Sequence, residues 1–565
     1  MLHRWVLVLA VMGATTAVSV PAALAATSAA DRCESGKLKA AAKACACRHS
    51  AAARALVKGI ASDPSKCATK LDDAFAKAET KAPGQCPATG EVSAVATRLG
   101  ALDDEVAAAL ETLSAGDRDS ARCAAAKLKA TGKKCSCMLN AQSRAARSGR
   151  APDFAKCDAK LATAFAKAEE KAGGICPTVG DAQGLCAVVD ATFDEVAADI
   201  ANLGTADFAA PGPFGVGVRT MTLVDTSRPT AANGTFPGAP ERTLVVEVWY
   251  PIEPGGIIAQ KPNAPFIEGS GPFPLLLRAH GFSGFRTDSG YLTHHLATHG
   301  YIVVAPDFPL SNLFAPGGPT LADVGEQALD LGFLIDSFTA ANSEPSSPFF
   351  GHVDTETIGA IGHSLGGATV LLATFHPTLR DLRVDATVGL SPLACVLLDG
   401  FFDTTTTPLM IQGGTVDMIT PYASNQLIPF GFANASKYLV TLEGGTHLGF
   451  SNRLLFGPGE NGDDAIGCDF FVSPGDPRPV TIDPGLPPDF LGGAAAGLDP
   501  TGAACEPICP LPPPSFMLHA RQNLLSKAAS LALFDAKLRQ SVAGGRMITG
   551  KLDSDNTDLE LTFAE

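Results

Sequence analysis

Thr357-Ile358-Gly359-Ala360-Ile361-Gly362-His363-Ser364-Leu365-Gly366-Gly367-Ala368-Thr369-Val370-Leu371-Leu372-Ala373 is the stretch that decides the fold. An apolar run leads into Gly-x-Ser-x-Gly, and a helix-forming run leaves it. The pattern predicts a strand, a sharp turn and a helix. A serine on such a turn is pushed out of the sheet, and glycines two before and two after leave room for the backbone. The helix that starts there aims its first N–H groups at the space beside the serine, where an oxyanion would be stabilised.

The flanking sequence alternates. Leu244–Tyr250, Leu275–Ala279 and Tyr301–Ala305 read as strands, with Pro251 and Pro306 ending two of them. Tyr291–His299 and Leu321–Phe338 read as helices. After the serine come strands at Ala386–Leu390, Pro408–Gly414 and Lys437–Leu442. Strands alternating with helices predict a mostly parallel sheet covered on both faces; with the Gly-x-Ser-x-Gly turn in it, the pattern resembles the α/β-hydrolase fold. Composition shifts from Ala and Lys to β-branched residues, Pro and Gly near residue 209, so this domain is set at 209–545 with 546–565 as a C-terminal tail.

In this fold an acid follows the serine in the chain and a histidine comes last. Asp417 follows the strand 408–414, and His447 follows the strand 437–442. Loops at the C-terminal ends of strands are where ligand-facing residues belong. A serine hydroxyl needs a base to take its proton, and the base needs a carboxylate to fix its tautomer. Ser364, Asp417 and His447 therefore form the candidate triad. Asp399 and Asp403 are the rival acids, and His519 is the rival base. The oxyanion donors are expected to be the backbone N–H groups of Leu365 and of Phe282, in the loop His280-Gly281-Phe282-Ser283-Gly284.

Residues 214–452 resemble bacterial α/β-hydrolases of the platelet-activating-factor acetylhydrolase-like and dienelactone-hydrolase-like group, which overlaps with cutinase-type polyester hydrolases. The likeness is carried by Arg219-Thr220, Val224–Pro229, Glu247–Pro251, His280–Phe282, His299–Tyr301, Ala305–Asp307 and Gly362–Gly367. The resemblance implies carboxylic-ester hydrolysis through an acyl-enzyme, with no metal and no cofactor. Two features depart from the group. Dienelactone hydrolases use a cysteine where this chain has Ser364, and some acetylhydrolase relatives carry the acid one strand earlier. A lipase or polyester hydrolase, an amidase or peptidase on the same fold, and a non-catalytic binding protein are the competing readings.

Residues 457–515 are rich in Pro, Gly and Asp and contain Cys468, Cys505 and Cys509, which suggests a disulfide-pinned insertion near the site. Asp463, Asp464 and Asp469 in it read as solvated loop acids rather than calcium ligands. Arg521–Arg539 reads as a closing amphipathic helix.

The region before residue 209 is different in kind. Cys33, Cys45, Cys47, Cys67 and Cys86 recur 90 residues later as Cys123, Cys135, Cys137, Cys157 and Cys176. Leu71–Glu79 and Asp104–Ala108 recur at the same offset. This is a duplication, read as two all-helical repeats at 33–115 and 123–203. Leu71, Phe75 and Ala78 make one narrow apolar face, so such modules need staples, and disulfides are the expected ones. The C-x-C pair fits neither a zinc site nor covalent haem. Cys186 has no counterpart, and the total of 15 cysteines leaves at least one unpaired within the chain. The Lys and Asp residues of the repeats read as a solvated helix face, and no partner for the repeats can be read.

At the start, His3 and Arg4 precede an apolar segment Trp5–Ala14 and an Ala23-Leu24-Ala25 cleavage triplet, so residues 1–25 read as a signal peptide and the protein as secreted, extracellular or periplasmic. Thr15, Thr16, Ser19 and Pro21 interrupt the run before it reaches spanning length, so stable membrane insertion is not expected. The net charge of −15 argues against nucleic acid as partner. The remaining expected partner is a small-molecule or polymeric ester.

Overall fold

The central serine segment lies within a ten-stranded sheet among the described residues of a computed structural model. Described are residues 28–565 except 84–85, 87–88, 111, 113–116, 149–151, 255–259, 435, 453–463, 472–486 and 511–514. The signal segment 1–25 lies outside the described residues. The strands are β1 (Gly215–Asp225), β2 (Arg242–Ile252), β3 (Lys261–Pro262), β4 (Phe273–Ala279), β5 (Ile302–Asp307), β6 (Val353–His363), β7 (Ala386–Leu390), β8 (Leu409–Gly414), β9 (Lys437–Leu442) and β10 (Leu559–Ala564). Their order is β10-β9-β8-β7-β6-β4-β5-β2-β1-β3. The run from β9 to β5 is parallel throughout, and β2 and β10 pair antiparallel with it.

Period-two alternation builds two cores from the same strands. Leu275, Leu277, Ile302 and Val304 face one core, while Leu276, Val303 and Ala305 face the other. Buried residues of α9 (Val324–Ser343) and α10 (Leu365–Phe375) cover the first face. Those of α8 (Gly290–Thr298) and the helix His519–Leu538 cover the second. The segment Asp225–Arg228, part of the family resemblance, is structural: Asp225 and Asp330 both accept from Arg228, and Asp330 with Asp323 clamps the buried Arg242.

Before β1 the described residues form helices α1 (Ala29–Lys58), α2 (Ser65–Thr80), α3 (Val92–Ala109), α4 (Arg118–Ser148), α5 (Ala155–Ala172) and α6 (Ala182–Ala201), followed by the short α7 (Thr205–Ala209). A capping box starts α1: the Asp31 N–H donates to Ser28 Oγ and the Ser28 N–H to Asp31. The expected apolar face is buried, Leu71, Phe75 and Ala78 in the first copy and Leu161, Phe165 and Ala168 in the second. Each copy carries two disulfides, Cys33–Cys86 with Cys47–Cys67 and Cys123–Cys176 with Cys137–Cys157. A fifth, Cys45–Cys135, joins the copies, so they are one cross-linked body rather than two separately stapled units. The same two long helices, α1 and α4, also meet where Ser35 hydrogen-bonds Ser143 and where His49 packs on Gly132. With Cys395–Cys505 and Cys468–Cys509, seven disulfides among the described residues imply an oxidising environment.

Three lysines of this region depart from the solvated-face reading, while Lys39, Lys66, Lys70 and Lys77 are exposed as expected. Lys37 and Lys127, one repeat apart, have fully buried side chains. Lys37 pairs with Glu79 and Glu91, Lys127 with Glu169 and Asp181. Each ammonium also lies over a ring, 5.4 Å from Phe75 and 5.2 Å from Phe165. Burying an ammonium is tolerable only with such partners. A third, Lys134, donates to Cys186 Sγ and lies 2.9 Å from Asp158 and 2.6 Å from Asp190. The first copy has Ala44, Ala68, Ala96 and Gly100 at these four positions. Cys186 is thus a free thiol beside a lysine.

Two sequence boundaries shift. Helix α7 (Thr205–Ala209) puts Phe208 and Ala209 into the sheet's second core, and its first N–H donates to Asp555. The body of the sheet therefore begins near 204 rather than 209. Residues 546–565, read as a tail, supply β10, and Arg546 pairs with Asp199 of α6. A chain beginning at Gly204 is expected to keep the sheet's full stability. One beginning at Ala210 loses Phe208 and should be weaker by roughly 2–3 kcal/mol, checked by urea unfolding of the two.

Candidate active site

Ser364 sits between β6 and α10 (Leu365–Phe375), with φ 57° and ψ −120°. A non-glycine residue at positive φ is strained, and such strain is held where the surroundings over-determine it. Here the clamp is steric. A Cβ on Gly362 would stand 1.9 Å from the Gly366 oxygen, and one on Gly366 would stand 2.2 Å from the Ala279 oxygen. The Ser364 N–H donates to Leu390 O, and the Leu393 N–H donates to Ser364 O. Leu365, as the first residue of α10, offers an N–H with no acceptor inside the helix.

The loop after β4 lies against the serine. The would-be Cβ of Gly281 is 3.1 Å from Ser364 Cβ. His280 is buried, and its Nε2 accepts the Phe308 N–H at 3.0 Å. That leaves Nδ1 to donate to Gly281 O at 2.7 Å, a single neutral tautomer that fixes the loop. Burial holds its pKa below the ordinary imidazole value. Phe282, Ser364 and Leu365 line one cavity of about 160 Å³, walled by Ile419, Leu491, Leu498 and Ile508.

Asp417 and His447, the candidate acid and base, meet across two loops. His447 Nδ1 donates to Asp417 Oδ2 at 2.9 Å, both side chains being buried. Asp417 Oδ1 accepts the N–H groups of Ile419 (2.9 Å) and Thr420 (2.7 Å). The Thr420 hydroxyl donates to Asp417 Oδ2 at 2.9 Å and lies 3.0 Å from His447 Nδ1. Burial disfavours the imidazolium, but the charge and hydrogen bond of Asp417 outweigh it and raise the His447 pKa. His363, next to the serine, reaches the His447 carbonyl through Nε2 at 3.1 Å. Burial, His447 and Arg278 keep its pKa well below the ordinary value, so it stays neutral.

The rivals stand elsewhere. Asp399 and Asp403 are exposed on the 3₁₀ turn Asp399–Thr404, and His519 opens the helix His519–Leu538. Three contributors were not picked out from sequence. Thr420 stands three residues after the acid, and His363 fills the x of Gly-x-Ser; both were visible as polar residues inside the motifs. The third is Asp464, read as a solvated acid. It is fully buried and accepts three backbone N–H groups, whereas Asp469 is exposed and Asp463 lies outside the described residues.

The insertion forms one wall of the cavity. Cys395–Cys505 and Cys468–Cys509 bind it to the sheet's loops and to itself. Leu398 N–H donates to Gly497 O, Asp499 N–H to Val396 O, and His376 Nε2 to Leu491 O, each at 2.8 Å.

A family model described as PET hydrolase-like matches residues 268–454. The chain is an α/β-hydrolase related to cutinase- and PETase-type polyester hydrolases. Chlorophyllase-1 of Arabidopsis thaliana is 30% identical over 184 residues, 31% of this chain and 53% of that protein. Cutinase est1 of Thermobifida alba is 27% identical over 146 residues, 26% of this chain and 43% of that protein. A bis(hydroxyethyl) terephthalate hydrolase of Streptomyces coelicolor is 26% identical over 162 residues, 28% and 45% of the two chains. The chain spans about half the length of these relatives. A solved ferulic acid esterase from Streptomyces cinnamoneus is 23% identical, with a TM-score of 0.40, over 63% of this chain and 99% of that one. Among the described residues no helix is long and apolar enough to cross a membrane.

Asp417→Asn is expected to cut ester turnover by about 10⁴ by releasing the imidazole's tautomer, with Asp399→Asn and Asp403→Asn near wild type. A base must be neutral, so kcat/KM should fall as pH drops through the His447 pKa. Because that pKa is raised, the acid limb should lie above about 6.5 in a pH–rate profile.

Proposed function

We propose that this protein hydrolyses carboxylic esters through an acyl-enzyme on Ser364. His447 takes the hydroxyl proton as Oγ attacks the carbonyl carbon, then gives it to the departing alcohol; water repeats the cycle in reverse. Asp417 holds the imidazole and offsets its positive charge. The N–H groups of Leu365 and Phe282 receive the oxyanion. The observation that carries this reading is a strained serine at a helix start whose chain neighbour, His363, hydrogen-bonds the His447 carbonyl of a loop-borne Asp–His pair.

The site's kinship favours the polyester-hydrolase side of the ester hydrolases over a generic esterase. The link with acetylhydrolase-like and dienelactone-hydrolase-like enzymes rests on Gly362–Gly367 and His280–Phe282, and a serine at 364 speaks against dienelactones. Apolar cavities of about 150 Å³ take one benzene ring. The cavity of about 160 Å³ therefore suits one ring-sized or short apolar acyl group, as in a chain end or soluble fragment of a polyester. No feature favours an amide over an ester. The disulfides and the pattern of residues 1–25 together support secretion.

Ser364→Ala should fold and lose several orders of magnitude in turnover, and a serine-directed phosphonate should label Ser364 in the wild type. Activity retained by the Ala variant, or labelling elsewhere, would refute the assignment. Across aryl esters of rising acyl length, kcat/KM should peak at short or single-ring acyl groups, with the matching amide far slower. A rate climbing steadily to long chains would contradict the cavity argument.

A further inference from the structure

One buried carboxylate stands outside that mechanism. Asp464 precedes the helix Ala465–Phe471 and is completely buried. Its Oδ2 accepts the N–H groups of Met418 (2.9 Å) and His447 (3.0 Å), and its Oδ1 accepts that of Leu448 (2.8 Å). One donor is the base itself, one is its successor, and one is the residue after the acid. A single side chain thus bridges the acid loop and the base loop. Every one of these partners is an N–H donor, so the ionised carboxylate is the form that fits; a protonated oxygen would turn its hydrogen toward a donor. Hydrogen bonds to an ionised acceptor are roughly twice as strong as neutral ones.

The insertion grips the acid loop a second time. The Cys509 N–H donates to Met418 O at 2.6 Å, and Cys509 is bonded to Cys468, one turn after Asp464. Met418 is therefore held at both its N–H and its carbonyl by two ends of one disulfide-closed element. Met418, Ile419, Leu448, Cys468, Ile508 and Cys509 pack as a separate small core around it.

We propose that Asp464 is a positioning residue for ester hydrolysis, spacing the Asp417 and His447 loops through their backbone and favouring the imidazolium that forms at His447. The proposal rests on the reading of His447 as the base. His447 is faced by Asp417 from the loop after β8, by Asp464 from the insertion and by His363 from the end of β6, with Arg278 acting on His363. Both carboxylates push the His447 pKa up. Burial and the nearby Asp417 push that of Asp464 up as well, while His447 and the N–H donors oppose the rise.

The test is Asp464→Asn in the full chain, assayed on a soluble aryl ester over a range of pH, with phosphonate titration counting functional sites. The residues that orient metal ligands typically change activity by about 10–100-fold when lost, and kcat per labelled site is expected to fall within the same range. KM should stay within about twofold, since the side chain does not line the cavity. The acid limb should move to lower pH, because a charge favouring the imidazolium has gone; a purely structural role would not move it. Wild-type kcat with an unmoved limb in labelled Asn protein would overturn the proposal. Should the Asn protein not fold, Asp464→Glu decides: kcat must fall with the limb in place, and a wild-type kcat overturns the proposal. A wild type that the phosphonate does not label at Ser364 strikes the catalytic reading itself, and this proposal with it.

Discussion

The turn between β6 and α10 is the constraint on which the site depends. Ser364 can hold a positive φ only because the chain crosses itself there at backbone contact, with Gly362 against Gly366 and Gly366 against the end of β4. That crossing sets the position of the first helical N–H and brings the His280–Gly284 loop beside the serine. A larger residue at Gly366 would part α10 from β4, and one at Gly362 would part it from β6; either would displace the serine and the expected oxyanion donors. The cost of the strain is met by the parallel sheet on either side, whose strands are buried on both faces.

The second half of the site is built from loops, which need a different kind of support. Asp417 and His447 lie beyond strand ends, where backbone is free to move. Within the acid loop, the Ile419 and Thr420 N–H groups and the Thr420 hydroxyl hold the carboxylate. Between loops, His363 holds the His447 carbonyl while Asp464 holds the His447 N–H. His447 is thus fixed by its peptide groups on both sides as well as through its ring. The same insertion that supplies Asp464 also walls the cavity, so the geometry of the Asp417–His447 pair and the size of the cavity are set by one cross-linked segment.

Local signals were readable from sequence and distant ones were not. The strand–turn–helix around Ser364 is written in consecutive residues, and the order of acid and base follows from the fold. The repeat was legible because its offset is constant. Asp464 escaped because its meaning lies in contacts with residues 418, 447 and 448, made by main-chain groups that carry no sequence signature. Lys37 and Lys127 look like surface lysines because their acids lie 42 to 54 residues away. β10 looks like a tail because β9, its strand partner among the described residues, is over a hundred residues earlier. Helix α7 was lost to a composition boundary, since Thr205–Ala209 keeps the alanine content of the repeats while packing with the sheet.

The disulfide between the repeats has a geometric meaning beyond cross-linking. Cys45 and Cys135 occupy the same place in the two copies, and on either side of them Ser35 meets Ser143 and His49 meets Gly132. The paired numbers run in opposite directions around a nearly constant midpoint. The copies are therefore related by an approximate dyad that passes through the bond, the arrangement an isologous homodimer adopts. A lone half of this region would present a face complementary to itself, with its own central cysteine on the axis. Duplication within one chain makes that pairing intramolecular. It also frees the two halves to diverge, which is how Lys134, Asp158, Cys186 and Asp190 can stand in one copy where the other keeps three alanines and a glycine.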